Sequence, residues 1–188
     1  MKKGLVFVIS APAGTGKTTL VRMLRDEFHN VVESLSDTTR APRPNEIAGR
    51  DYNYITVKEF EEKIKEGDYL EYAEVFHNFY GTSRKFVDGQ LEKGKHVILV
   101  IDTQGALQLK GKLEAIFVFI SPPSLEELRA RLYRRRSETE EAIETRLSWA
   151  EKEMSLSTNY DYHIVNDNLK SAYDVLRSIL IAEEHRNR

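Results

Sequence analysis

The chain has 188 residues, 40% hydrophobic and 31% charged, with a formal net charge of −2. That length suits one well-buried core with a small inserted lobe, and the near-neutral charge gives no general affinity for nucleic acid or anionic membrane. With no cysteine in the sequence, disulfides, thiolate metal sites and cysteine nucleophiles are excluded, which suits a cytoplasmic protein.

The first element is the apolar run "LVFVI" at 5–9. Its basic start imitates a secretory signal, but the run is short, β-branched and leads straight into a small-residue loop, so it reads as a buried strand. The loop, "SAPAGTGKTT", meets the phosphate-loop pattern G-x-x-x-x-G-K-[ST] at Gly16, Lys17 and Thr18, with Ala11 in place of the opening glycine. Such a loop points successive backbone N–H groups and a helix N-terminus at an anion. Lys17 would reach the β- and γ-phosphates of a nucleotide, and Thr18 would offer its hydroxyl to Mg²⁺. Ala11 is tolerable at negative φ, and Pro12, with no N–H, fits only where phosphate is not contacted. A helix follows, with Leu20, Val21, Leu24 and Phe28 on one face.

Residues 35–96 break this rhythm. A polar segment with Pro and Gly, "TTRAPRPNEIAGRDYNYITV", precedes a short helix near 58–66, the strand pattern "YLEYAEVFH" and a helix near 83–93. This reads as an inserted lobe of mainly short antiparallel strands. Within it Arg40 and Arg43, three residues apart, are suited to grip a phosphate dianion, with Tyr52 and Tyr80 hydroxyls completing the shell. Surface ion pairs and rim tyrosines are the plainer alternative.

Further buried strands are expected at "VILVI" (97–101), "AIFVFI" (115–120) and "YHIV" (162–165). The first of these runs leads into Asp102, as does the acidic strand that steers Mg²⁺ beside a phosphate loop; a helix N-cap before "TQGALQL" explains the same residue. Leu125, Leu128 and Leu132 share one helical face, and Ile143, Leu147, Ala150 and Met154 another. Between them "YRRRSETEE" has the look of a hinge, with Ser137 and Glu140 spaced as a capping box. A last helix runs from about 171 to 184. There are no repeats, and no run approaches the roughly 20 apolar residues that span a bilayer. Alternating strands and helices make this an α/β fold with a mostly parallel sheet.

The segments "LSDTTRAPRPNEIAGRDYNY", "YLEYAEVFHNFYGTS", "FISPPSLEELRARL" and "YDYHIVND", in this order with the loop and the Asp102 strand, resemble the guanylate kinase family nearly end to end. The resemblance implies an enzyme that moves a phosphoryl group from ATP to GMP, with dGMP accepted too, using Mg²⁺ and needing no nucleic-acid or membrane partner; a homo-oligomer stays open. It implies a phosphate-loop three-layer α/β/α core (1–34, 97–125 and 158–188), a mixed α+β GMP-binding lobe (35–96) and a helical lid region (126–157).

By matching position, the resemblance implies that ATP is held by Ala11, Pro12, Ala13, Gly14, Thr15, Gly16, Lys17, Thr18 and Thr19, with Arg131, Asn166 and Asp167. It gives the GMP phosphate to Arg40, Arg43, Tyr52 and Tyr80, and the guanine to Ser36, Glu71, Thr82 and Asp102, with Glu46 and Gly81 in the same site. Lys17, Arg40, Arg135 and Arg146 would carry the catalysis, and Thr18 and Asp102 the metal. A carboxylate such as Glu71 accepts from guanine N1–H and its 2-amino group, whereas adenine presents an acceptor at N1 and no 2-amino group. Three positions depart from the family pattern: Ala11, Val100 where an acidic residue is usual, and the charged run at Arg136. Competing readings are a catalytically silent phosphopeptide-binding module, a kinase for a sugar phosphate, and, more remotely, a nucleic-acid binder.

Overall fold

The computed structural model describes residues 3–44, 46–134 and 139–187. At its centre strand β1 (Val6–Ser10) pairs in parallel with β7 (His96–Val100) on one side and β8 (Ile116–Ser121) on the other. The edges of this five-stranded parallel sheet are β2 (Val31–Glu33) and β9 (Tyr162–Val165), giving the order β2-β7-β1-β8-β9.

Every residue of β1 is buried, because helices cover both faces of the sheet. Side chains alternate between the faces. Phe7 and Ile9 pack with Leu20, Val21 and Leu24 of α1 (Lys17–Glu27) and Leu176 and Leu180 of α7 (Leu169–Glu184). Val6 and Val8 pack with Val87 and Leu91 of α3 (Arg84–Glu92) and Ala106 and Leu109 of α4 (Thr103–Leu109). Each such side chain stabilises the fold by roughly 1.5–3 kcal/mol, so this sandwich is the frame on which the strand-end loops sit.

A second sheet, of mixed sense, has the order β4-β3-β6-β5. Its strands are β3 (Asp37–Thr38), β4 (Asn53–Tyr54), β5 (Tyr69–Val75) and β6 (Asn78–Ser83); β5–β6 and β3–β6 are antiparallel, whereas β3–β4 is parallel. Helix α2 (Val57–Glu66) starts with a Thr56–Glu59 capping box and ends at Gly67, whose φ of 73° suits glycine. It lays the fully buried Phe60 on the rings of Tyr69 and Phe79, with centroids 4.7 and 5.4 Å away. Asp37 ties this lobe together: it is 2% exposed and accepts from Lys63 Nζ (2.6 Å), Tyr69 Oη (2.9 Å) and Asn53 Nδ2 (3.0 Å).

Helices α5 (Leu125–Arg134) and α6 (Glu140–Ser155) meet along Leu128, Leu132, Ile143, Leu147 and Ala150. That apolar seam outweighs the exposed Arg129–Glu144 ion pair on the same interface, since such pairs contribute at most about 1 kcal/mol.

Local outcomes differ from expectation at several points. The three-residue edge strand β2 was not anticipated. Helix α7 begins at Leu169, because Asn168 caps it by accepting from Ser171 N at 3.1 Å. Ser137 lies outside the described residues, and the N-cap of α6 is Thr139, which accepts from Ala142 N at 3.3 Å and makes Glu140 the first helical residue. Among the described residues no helix is long and apolar enough to cross a membrane.

Replacing Asp37 with alanine strands Lys63 and leaves two hydroxyl and amide donors without their acceptor. Urea denaturation is expected to show a loss of about 2–4 kcal/mol, whereas a loss below 0.5 kcal/mol would show that Asp37 does not hold the lobe together.

Candidate functional site

The loop between β1 and α1 sits at the C-terminal end of the central strand, where open α/β sheets place their ligands. Gly14 and Gly16 have φ of 93° and 91°, a left-handed region that glycine enters without strain. Gly16 caps α1 with no side-chain hydrogen bond, so the first amides of α1 have no capping side chain and are oriented toward an incoming anion. Ala11 is buried and outside the positive-φ set, so its methyl group is tolerated where the pattern has glycine. The Pro12 carbonyl accepts from Thr15 N and Oγ1, at 3.4 and 2.9 Å, which closes the turn internally.

Two neighbours press on the glycines. A Cβ on Gly14 would meet Leu132 Cδ2 of α5 at 3.0 Å, and one on Gly16 would meet Asn166 Nδ2 at 2.7 Å. Asn166, buried at the end of β9, donates to the Thr15 carbonyl at 2.6 Å and braces the loop from beneath. Its neighbour Asp167 is exposed.

The loop forms one wall of a cavity of about 260 Å³. Ala11, Ala13, Lys17 and Thr18 face it from the loop, Asp102 from the end of β7, Arg146 and Glu153 from α6, and Ser36, Arg40, Arg43, Tyr52, Glu71 and Tyr80 from the lobe. The structure therefore brings residues from five separate stretches of sequence to one space.

On the lobe side the cationic cluster is already organised. Arg40 donates Nε to Tyr80 Oη at 3.2 Å and Nη2 to both Glu46 oxygens at 2.8 and 2.9 Å, and its guanidinium stands 5.4 Å from the Tyr52 ring. Glu46 also accepts from Tyr54 Oη (2.7 Å) and Arg43 N (2.8 Å). Glu46 is thus behind the wall and acts on the cavity by fixing Arg40.

Glu71 is 5% exposed and accepts from the Thr82 hydroxyl. Burial pushes its carboxyl from the ordinary 4.5 up to about 7; the Thr82 hydroxyl opposes this and Asp102 adds to it. The side chain fits only because α4 offers a glycine: a Cβ on Gly105 would lie 2.4 Å from Glu71 Oε2 and 3.3 Å from Asp102 Oδ1. Gly81 is likewise set behind the wall, against the rings of Tyr69 and Phe60.

Asp102 is both a helix cap and part of the cavity lining. Its Oδ1 caps α4 by accepting from Gly105 N at 2.9 Å, and its carboxylate also faces the cavity. Burial raises its carboxyl, against the pull of the Gly105 amide and Lys17. Burial lowers Lys17, whose Nζ donates to the Ala11 carbonyl at 3.4 Å, while Glu153 and Asp102 oppose that shift. Among the described residues no group of three His, Cys, Asp or Glu forms a ready-made metal cage. The oxygens of Thr18 and Asp102 instead suit a Mg²⁺ that arrives with phosphates and retains water.

Arg131 is turned onto Glu127 of its own helix at 3.0 Å, away from the cavity lining, and Arg135 lies outside the described residues. Sequence reasoning missed Glu153 and Gly105. Glu153 follows Arg146 by seven positions in α6, a spacing that puts both on one helical face; no local pattern marks the close approach of Gly105 to Glu71.

A phosphate loop at the end of a parallel sheet, opposed by a cation-lined lobe, defines a phosphate-loop α/β protein built to hold two ligands against each other. A family model described as guanylate kinase matches residues 3–183. A guanylate kinase of Protochlamydia amoebophila is 58% identical over 98% of this chain and 94% of its own length, and one of Clostridium tetani is 50% identical over 99% and 89%. The crystal structure of guanylate kinase from Anaplasma phagocytophilum superposes with a TM-score of 0.82 at 36% identity, covering 99% of this chain and 89% of that one. The chain belongs to the guanylate kinase family.

Gly105→Ala should expel the Glu71 carboxylate from its seat while leaving the phosphate loop in place. Calorimetry is expected to show GMP affinity down by at least about tenfold, with ATP affinity changed less than about threefold. Unchanged GMP affinity would mean that the seat of Glu71 is immaterial.

Proposed function

We propose that the protein transfers the γ-phosphoryl group of ATP to GMP, and also to dGMP, giving ADP and GDP or dGDP. The observation that carries this reading is the single cavity with the phosphate loop on one wall and a buried carboxylate plus a cation cluster on the other. The chain divides accordingly into a donor core (1–34, 97–125 and 158–188), an acceptor lobe (35–96) and a lid region (126–157). Helix α3 belongs to the lobe in sequence but packs its Val87 and Leu91 into the core, and so straps the two together.

On the donor side the backbone of residues 11–19 wraps the ATP phosphates, with Lys17 against the β- and γ-oxygens. Asn166 holds the loop in shape, Asp167 lies toward the adenine side, and Arg131 belongs with the lid arginines that close over the phosphates. On the acceptor side Arg40, Arg43, Tyr52 and Tyr80 bind the GMP phosphate, with Glu46 fixing Arg40. Glu71 receives the guanine N1–H and 2-amino donors, seated by Thr82 and Gly105, with Ser36, Gly81 and Asp102 in the same site. Two donors arriving at a buried carboxylate restore its charged form, and adenine leaves it unpaired at a cost of several kcal/mol.

An oxygen of the GMP phosphate attacks the γ-phosphorus in line, and the bond from that phosphorus to the bridging oxygen of ADP breaks. The attacking oxygen is already ionised, so no general base is required. Lys17 and Arg146 neutralise charge on the moving group, and Arg40 orients the acceptor; Arg135 retains a lid role through the family resemblance. Thr18 and Asp102 would hold Mg²⁺, which neutralises charge on the β- and γ-oxygens when bound. The proposal includes a cytoplasmic location and no nucleic-acid or membrane partner. A silent binding module would have no use for the positive-φ glycines and lysine that shape the loop.

The test is ADP release from ATP and Mg²⁺ with a panel of nucleoside monophosphates. GMP should turn over, and Glu71→Gln should lower kcat/KM for GMP by about 10²-fold or more. Turnover of AMP or UMP equal to that of GMP would overturn the guanine assignment.

A further inference from the structure

The hairpin that joins β5 to β6 turns on two residues, Phe76 and His77, between the paired Val75 and Asn78. Their φ values are 49° and 60°, and among the described residues they are the only non-glycine positions with positive φ. A two-residue hairpin turn of this kind favours Asn-Gly, because side chains larger than Asn are strained in the left-handed region. The chain therefore holds a turn that is poor for folding, and strain of this kind persists where surrounding contacts or function require it.

His77 gives no reason for the strain: its side chain is fully exposed, 3.7 Å from Glu74. Phe76 gives one. Its ring meets Trp149 of α6 edge to face, with centroids 5.6 Å apart and an interplanar angle of 67°, and Lys152 Nζ stands 5.6 Å from the same indole. Phe76 also lines the cavity. Trp149 sits three residues after Arg146 and four before Glu153, the two α6 side chains that face the cavity. The pair thus connects the tip of the lobe to the stretch of α6 that carries those charges.

We propose that Phe76 and Trp149 form an aromatic latch that holds the acceptor lobe against α6, and that Trp149 is a positioning residue for GMP binding. The inference rests on the reading of residues 35–96 as the acceptor lobe. The latch works by keeping α6 beside the lobe, so that Arg146 and Glu153 face the cavity together with Glu71 and Arg40. Both rings are partly exposed, at 45% and 38%, so the contact is made and broken at little cost to the core. A contact that merely stabilised the fold would be better served by an unstrained turn.

Trp149 is the chain's one tryptophan, so its emission reports on the contact. Adding GMP to the wild-type protein without ATP should shift that emission saturably, and Phe76→Ala should abolish the shift. In steady-state assays Phe76→Ala and Trp149→Ala should raise KM for GMP by about three- to tenfold, the range expected for loss of an aromatic pair, with KM for ATP within twofold of wild type. Trp149→Phe should restore KM for GMP to within twofold. The double variant F76N/H77G relieves the turn, so it should unfold at a higher urea concentration than wild type and yet show the same rise in KM for GMP. Wild-type turnover of GMP with KM unchanged in both Phe76→Ala and F76N/H77G would overturn the latch alone. Absence of wild-type turnover with GMP would overturn the acceptor reading, and the latch with it.

Discussion

Gly14 and Gly16 hold the phosphate loop in a left-handed backbone geometry while Leu132 and Asn166 press on them from opposite elements. The loop is consequently closed to side chains at two points, and it is held by helix α5 and by the end of β9 at the same time. Every other part of the site is placed relative to this turn. β1 delivers it, the alternating burial of β1 between two helical layers fixes its height, and β7 sets Asp102 beside it. A loop that was merely flexible would have to order its amides on each encounter with an anion. Here the backbone is already shaped, which is how a fold turns burial energy into binding.

The lobe follows the same logic with charge in place of backbone. Arg40 is held by Glu46, Tyr80 and the Tyr52 face before any ligand arrives, and Glu71 is seated by Thr82 and Gly105. These groups are kept at a distance from the loop by a separate small sheet, whose own core is the Phe60 aromatic cluster and the Asp37 network. Between the two walls lies an acid–base set, Lys17, Asp102 and Glu153, in which burial weakens each charge, Lys17 supports both carboxylates and they support Lys17, while Asp102 works against the charge of Glu153. Phosphate entering this space meets cations whose counter-charges are already in place.

β1, β7 and β8 were legible because a strand covered on both faces leaves an unbroken apolar run, whereas β9, expected to be buried too, is an edge strand in which only Ile164 is buried. The helices were legible from their spacing, to within two or three residues at their ends. Strand β2 was not, since three residues at an edge owe their conformation to pairing with β7 and carry no pattern of their own. His96 begins a core strand despite its polarity because its Nδ1 accepts from Leu5 N at 3.0 Å, across a pairing that sequence spacing does not reveal. In the lobe, Glu71 and Ala73 of β5 line the cavity, whereas Tyr72 and, across a register shift between Tyr69 and Glu71, Tyr69 turn to the other face against Phe60. Composition does not single out Glu71 as buried, because it is buried by the glycine of a helix thirty-four residues away. The loop was legible as chemistry from its own residues, whereas the Arg40–Arg43 anion clamp stood beside a plainer surface reading and the guanine side was legible only through family resemblance. Its parts come from distant segments whose meeting depends on tertiary structure.

The central claim is that the loop and the lobe are two halves of one phosphoryl-transfer site. A crystal structure with GMP and a non-hydrolysable ATP analogue tests it most directly. The account predicts guanine N1 and N2 within hydrogen-bond distance of Glu71, the GMP phosphate on Arg40, Arg43, Tyr52 and Tyr80, and the analogue's γ-position between that phosphate and Lys17. Guanine bound elsewhere, or a GMP phosphate pointing away from the loop, would contradict it.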